Sequence, residues 1–256
     1  MSAPHADWLQ PEWAATGVGA LMSTRHGGVS DGPYASLNLG AAVADDPAHV
    51  AANRARFAAS LGGAPVFLRQ VHGVAVAHLQ PADALRPAGE IVADACVTAA
   101  PGVACVVQVA DCLPVLFAAP GGRAVGAAHA GWRGLAGGVL ENTVAALCEL
   151  AGCAPSELHA WLGACIGPAQ FEVGADVLAA FGAEVNTPDA ARFVPGAVPG
   201  KWLAHLPQLA RDRLWASGLT QVSGGQRCTV SDPSRFFSYR REPVTGRLAA
   251  AVWIVR

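Results

Sequence analysis

The 256-residue chain predicts an α/β sandwich, a mixed sheet with helices packed outside it. Three observations point there. Three short apolar, β-branched runs follow one another in mid-chain, and an amphipathic stretch comes directly after them. Elsewhere strand-like and helix-like segments mix without strict βαβ alternation, which favours a mixed α/β or α+β layer architecture over a doubly wound one. No internal repeat, low-complexity tract or long polar linker interrupts residues 1–256, so the simplest organisation is a single domain.

Taken in order, Pro47 to Leu61 carries a helical pattern, with Asp45 or Asp46 as candidate N-cap. Apolar runs from Pro65 to Leu68 and from Val74 to Ala77 flank a polar turn. Val103 to Val109, Leu113 to Ala119 and Ala124 to Ala130 read as buried strands, the second closed by the turn Pro120-Gly121-Gly122. Gly134 to Leu150 places Leu135, Val139, Leu140, Val144 and Leu147 at helical spacing and stops near Gly152. Gln170 to Phe181 predicts a short helix. Lys201 to Ser217 predicts a longer one, which Pro207 interrupts or delays. Phe236 to Arg240 and Arg247 to Val255 predict two strands joined around Val244-Thr245-Gly246.

The net charge of −2 is spread thinly, and the basic residues form no stripe, which disfavours nucleic acid as a partner. Nearly all the cations are arginines, with Lys201 the sole lysine. This fits a GC-rich genome better than any recognition role. No apolar run is long enough to span a bilayer, and Met1 to Gln10 lacks the layout of a signal peptide. A cytoplasmic location is the expectation, and with it seven cysteines that stay mostly as buried thiols, one of them reactive or metal-bound.

Three stretches carry chemistry. Arg69-Gln70-Val71-His72-Gly73 puts a histidine at a strand end or turn. Ala110-Asp111-Cys112-Leu113-Pro114 breaks two strand-like runs with a polar pair. Bulges of that kind re-aim side chains beside active sites. Ala128-His129-Ala130-Gly131-Trp132-Arg133-Gly134 lies where a strand hands over to a helix, and its glycines permit close backbone approach. Arg133 at that helix start suits phosphate, whereas Trp132 is better read as a cover for the core. Each residue alone is more often structural. Together His72, Cys112 and His129 form the two-imidazole, one-thiolate set that zinc prefers, with a position left open for reactant. Asp111 is placed to orient a ligand or to exchange protons with substrate.

These blocks, in this order, resemble the family known variously as multicopper polyphenol oxidase or laccase-domain, YfiH-like and peptidoglycan editing factor proteins. The resemblance runs nearly end to end. It spans Ser23-Thr24-Arg25-His26-Gly27-Gly28-Val29-Ser30, Tyr34 to Gly40, Asn53-Arg54, Gln70 to Gly73, Asp94 to Thr98 and Ala110 to Val115. It continues through His129 to Gly134, Gly167-Pro168, Phe171 to Gly174, Phe236 to Glu242 and Thr245-Gly246-Arg247. It implies a fold similar to the catalytic domain of cytotoxic necrotizing factors and a metal triad of His72, Cys112 and His129. The implied metal is zinc, with copper as competitor. The implied activities are phosphorolysis of adenosine, inosine and methylthioadenosine, and deamination of adenosine. It also places Arg25, Asn38 and Arg133 near substrate. In one departure, Gln226-Arg227-Cys228-Thr229 lacks the histidine that often precedes the family's cysteine, so Cys228 has no assigned role.

The leading expectation is therefore a metal-dependent enzyme for small-molecule nucleosides and phosphate, a monomer or weak homodimer. Copper-dependent phenol oxidation ranks lower, because eight scattered histidines are too few for a multicopper centre. A metal-free thiol enzyme with Cys112 as nucleophile and His129 as base, editing peptidoglycan, is a second alternative. A non-catalytic module holding a structural metal would need a fourth ligand, and none stands out.

Overall fold

The computed structural model describes residues 2–184 and 189–255. In chain order its elements are β1 (Val18–Met22), α1 (Pro47–Ala59), β2 (Ala64–Phe67), β3 (Val76–His78), β4 (Ala95–Thr98), β5 (Val103–Val109), β6 (Leu113–Ala118) and β7 (Val125–Ala130). They continue with α2 (Trp132–Gly137), α3 (Val139–Ala151), β8 (His159–Leu162), β9 (Glu172–Val173), α4 (Ala175–Ala180), β10 (Phe193–Pro195), β11 (Trp202–Ala204), α5 (Leu206–Ala216), β12 (Gln221–Gly224) and β13 (Leu248–Ile254). No helix among the described residues is long and apolar enough to cross a membrane.

Two mixed sheets lie at the centre. One runs β1-β13-β5-β2 and the other β12-β8-β6-β7-β4-β3. β2 is parallel to β5, β3 to β4 and β12 to β8, while the remaining pairs in both sheets are antiparallel. Side-chain alternation explains the layering. Along β5, Cys105 and Val107 join Leu116, Ala127 and Trp161 of the other sheet in one core, whereas Ala104 and Val106 join Phe57 of α1 in a second. Along β6, Val115 and Phe117 turn the other way, onto Val144 and Leu147 of α3 and Leu209 of α5. The molecule is an α/β sandwich of helix, sheet, sheet and helix, buried on both faces of each sheet. That double burial is why the central strands read as unbroken apolar runs rather than alternating ones.

The N-cap of α1 is Asp46, which accepts from Ala48 N at 2.7 Å. Asp45 is drawn inward, taking the Ser30 hydroxyl at 2.7 Å. Four expectations need correction. The helix read over 134–150 is two helices, because Gly138 (φ 102°) adopts a left-handed conformation between α2 and α3. The helix read over 170–181 is confined to α4, since Glu172 and Val173 pair with β11 instead. The helix read from 201 begins at Leu206, with Pro207 in its first turn, and the residues before it form strand β11. Phe236 to Ser238 are irregular and Tyr239 and Arg240 form a turn, so this segment is not a strand. Their apolar side chains are buried for another reason: Phe236 and Phe237 plug the space between the two sheets.

Candidate metal centre

Strand order brings distant residues together. His129 lies in β7, paired with Pro114 of β6, so Cys112 falls just before the start of β6 beside Gly131. Asp94 precedes β4 on the other side of β7, and its carbonyl accepts from His129 N at 2.7 Å. His72 sits in the loop that leads to β3, the next strand over. The sheet thus carries all three predicted ligands at neighbouring strand ends. His72 Nε2 lies 3.8 Å from Cys112 Sγ, and the available ligand atoms of His72, Cys112 and His129 all fall within 4.8 Å of one another. Tetrahedral zinc, with bonds of about 2.0–2.3 Å, sets ligand atoms about 3.3–3.8 Å apart, so the donor set fits that ion in kind, and the His72–Cys112 separation lies at the top of that range. Among the described residues this is the one cluster of three or more candidate metal ligands.

The organiser of the site is Asp94, a residue to which sequence reasoning gave no role. It is fully buried. Its carboxylate accepts from the consecutive amides of Val71, His72 and Gly73 at 3.0, 2.9 and 2.7 Å. It also accepts from His129 Nδ1 at 2.8 Å. The first set of bonds holds His72 in a left-handed backbone conformation (φ 60°), rare for any residue but glycine. The last fixes the His129 tautomer, leaving Nε2 to face Cys112. Burial alone would raise the Asp94 carboxyl, but the donors from His129, Gly73 and Val71 outweigh it and hold the group below its ordinary value.

Asp111 is the second residue held at positive φ, at 90°. Its carboxylate accepts from Thr229 Oγ1 and from Arg240 N, each at 2.6 Å, and it does not line the cavity. Of the two roles considered for it, these bonds favour orienting Cys112 from behind. In the metal-free protein, burial pushes the Cys112 thiol up, but the charge and hydrogen bond of His129, and then those of His72, bring it down to about 6. His129 moves the other way. Burial lowers it, yet Cys112 and Asp94 raise it to about 9. Gly131 and Gly134 make the crowding possible. A Cβ on Gly131 would lie 2.9 Å from His72 Cδ2 and 3.0 Å from Cys112 Sγ, and one on Gly134 would lie 2.8 Å from Gly73 O.

The centre opens into a cavity of about 770 Å³. Arg54, Arg69, Arg247, Gln70, Gln108 and Tyr239 line it together with all three metal-ligand candidates. Arg54 is braced by Leu39 O at 2.9 Å and by the Phe67 ring. Arg247 is braced by the carbonyls of Thr245 and Gly246. Arg69 is exposed at the mouth. The arginines singled out from sequence are different ones, and they stand outside this cavity. Arg133 is exposed over the Trp132 ring, outside the cavity, because Gly131 and Gly134 occupy the helix face that meets the site. Arg25 donates to Ala35 O and Pro233 O and holds two loops together. Asn38 is buried, and its carboxamide accepts from Gly40 N and Arg247 N, so it braces the cavity wall without facing the interior. Trp132 packs against the core, as expected. Arg54 and Arg247 stand in sequence blocks that carry the family resemblance, and Arg69 directly precedes another. Position in a block marks a residue without saying which way its side chain points.

The profile of the multi-copper polyphenol oxidoreductase laccase family matches residues 19–255. The chain belongs to this family. Within it, the chain is 51% identical over 248 residues to the purine nucleoside phosphorylase PA4543 of Pseudomonas aeruginosa, covering 96% of this chain and 98% of that one. It is 47% identical over 250 residues to the purine nucleoside phosphorylase YfiH of Escherichia coli K12, covering 97% of each. The crystal structure of the Neisseria meningitidis protein NMB0706 superposes with a TM-score of 0.88 at 46% identity, covering 98% of this chain and 100% of that one. A laccase-like family profile that embraces proteins named as phosphorylases makes the family name a weak guide to chemistry, and the site a better one.

Proposed function

We propose that this chain is a zinc-dependent purine nucleoside phosphorylase that cleaves adenosine, inosine and methylthioadenosine and also deaminates adenosine. One observation carries the reading: His72, Cys112 and His129 face a cavity of nucleoside size whose other walls present the guanidiniums of Arg54, Arg69 and Arg247. Relatives aligned over nearly the whole chain bear the phosphorylase name, which supports the same chemistry. The planar guanidinium fork suits phosphate, and a phosphate held by these arginines would share the cavity with the metal ligands. Tyr239 and the apolar Leu68 and Val109 offer surfaces for a base. When bound, zinc supplies Lewis acidity at the reacting centre. The chain's own contribution is orientation: Asp94 sets both histidines, and Asp111 sets Cys112.

Metal-replete protein incubated with adenosine and phosphate, and separately with inosine and phosphate, should yield free base and ribose 1-phosphate by chromatography. Adenosine alone should yield inosine. Arg69→Ala should raise the KM for phosphate more than that for nucleoside. Absence of every product beside an active control enzyme would defeat the reading.

A second reading has one observation in its favour. The lowered Cys112 thiol beside the raised, carboxylate-braced His129 is the arrangement of a thiol nucleophile and its base. Elemental analysis separates the two readings, since a thiol enzyme keeps full activity in protein stripped of zinc and copper. Multicopper oxidation is the poorest fit, with a single three-ligand cluster among the described residues.

A further inference from the structure

All seven cysteines are free thiols, and the six other than Cys112 fall into neighbouring pairs. Cys96 and Cys105 share the core between the sheets, within hydrogen-bond range of each other. Cys148 and Cys153 meet at the end of α3. Cys165 and Cys228 are direct partners in a parallel β-bridge, with Cys165 N donating to Arg227 O at 3.2 Å and Thr229 N donating to Cys165 O at 2.9 Å.

The third pair differs from the other two in how its sulfur is solvated. Cys228 Sγ accepts from Gly167 N at 3.2 Å, Ser231 N at 3.4 Å and Ser231 Oγ at 3.3 Å. Glycine at 167 favours this approach, since a Cβ there would lie 3.0 Å from the sulfur and crowd it. Three converging donors form a cradle for an anionic sulfur, and Cys228 is only half-buried, so a small reagent can reach it. The donors hold its thiol below the ordinary value despite burial, whereas burial raises Cys165 well above its own. Adjacent strands lie about 4.8 Å apart, inside the Cα separation of about 4.4–6.8 Å that a disulfide spans.

We infer that Cys228 is a peroxide-reactive thiol and that Cys165 is the thiol that resolves it into a disulfide. The Cys228 thiolate attacks one peroxide oxygen. An S–O bond forms, the O–O bond breaks, and hydroxide leaves and takes up a proton to become water. Sulfur is oxidised to sulfenic acid as the peroxide is reduced. Cys165 sulfur then attacks the sulfenic sulfur. The S–S bond forms, the S–O bond breaks, and the hydroxyl departs with the Cys165 proton as a second water. The pair closes directly behind the site already described, because Thr229, the residue after Cys228, donates the hydroxyl that holds Asp111.

The test uses reduced, zinc-loaded full-length protein treated with hydrogen peroxide and quenched with an alkylating agent. Digestion without reductant combines trypsin with a glutamate-specific protease, which cuts at Glu157 and so separates Cys165 from Cys148 and Cys153. Mass spectrometry should find a Cys165–Cys228 linked peptide, and the link should be lost in Cys228→Ser. In Cys165→Ala, dimedone should label Cys228 instead, since the sulfenic acid then has no partner. The wild-type peptide map stands without either variant. A Cys228 recovered fully alkylated under conditions that oxidise Cys153, or a Cys165→Ala protein with no dimedone adduct at Cys228, overturns the inference.

Discussion

Asp94 does more for the centre than any of its candidate ligands, because one carboxylate orders two of them. Four of its acceptor contacts are accounted for by three amides and one imidazole. Asp94→Asn keeps the shape but turns one oxygen into a donor, so it opposes an amide or the His129 proton. Loss of such an orienting partner costs about 10–100-fold in metal affinity, measurable by competition with a zinc chelator. Unchanged affinity would show that the ligands hold themselves. The Cys112–His129 pair makes a separate prediction about pH. Thiolate is the nucleophile, and Cys112 titrates near 6 in the metal-free protein. Its alkylation by iodoacetamide should therefore switch on as pH rises through 6 and be flat above pH 7, and bound zinc should abolish it. A midpoint near that of an ordinary thiol, about 8.5, would contradict the pairing. In the sequence, His72, Cys112 and His129 stood out as candidates through the three motif blocks and the family resemblance that carries them, since eight histidines and seven cysteines offer many other combinations. Asp94 did not, because an aspartate before an apolar run looks like a solvated strand end until the fold buries it.

At the scale of elements, the turn from β7 into α2 is a fixed device. Gly131 faces His72 and Cys112, and Gly134 faces the backbone at Gly73. Gly131→Ala would push a methyl into both ligand side chains. The expected result is folded protein with near-native circular dichroism and a markedly reduced zinc content. Full metal occupancy in that variant would mean the ligands can yield by several tenths of an ångström. The break at Gly138 was hidden because the apolar spacing continues across it, and periodicity reports which face is buried, not whether the axis is continuous. The misread helix starts near 170 and 201 have a related cause. Two- and three-residue strands such as β9 and β11 carry too little pattern to outweigh a neighbouring helical signal, and only pairing defines them.

At the scale of the whole molecule, two sheets and their flanking helices create the buried layers that hold strand ends rigid enough for a metal site. Phe117 is fully buried between the larger sheet and the helices outside it. Phe117→Ala should cost about 3–5 kcal/mol in urea unfolding while leaving the zinc stoichiometry of the folded fraction unchanged. A loss below about 1 kcal/mol would mean that this layer repacks freely. The amino-acid sequence by itself determined the class of fold and the central strands, because burial pattern is a property of residue types read locally, and its ordered motif blocks with their family resemblance named the three metal-ligand candidates. Only the tertiary structure decided which polar residues stand behind those ligands and which arginines face the cavity. Those choices depend on strand order and side-chain direction between residues tens of positions apart, and no local pattern encodes either.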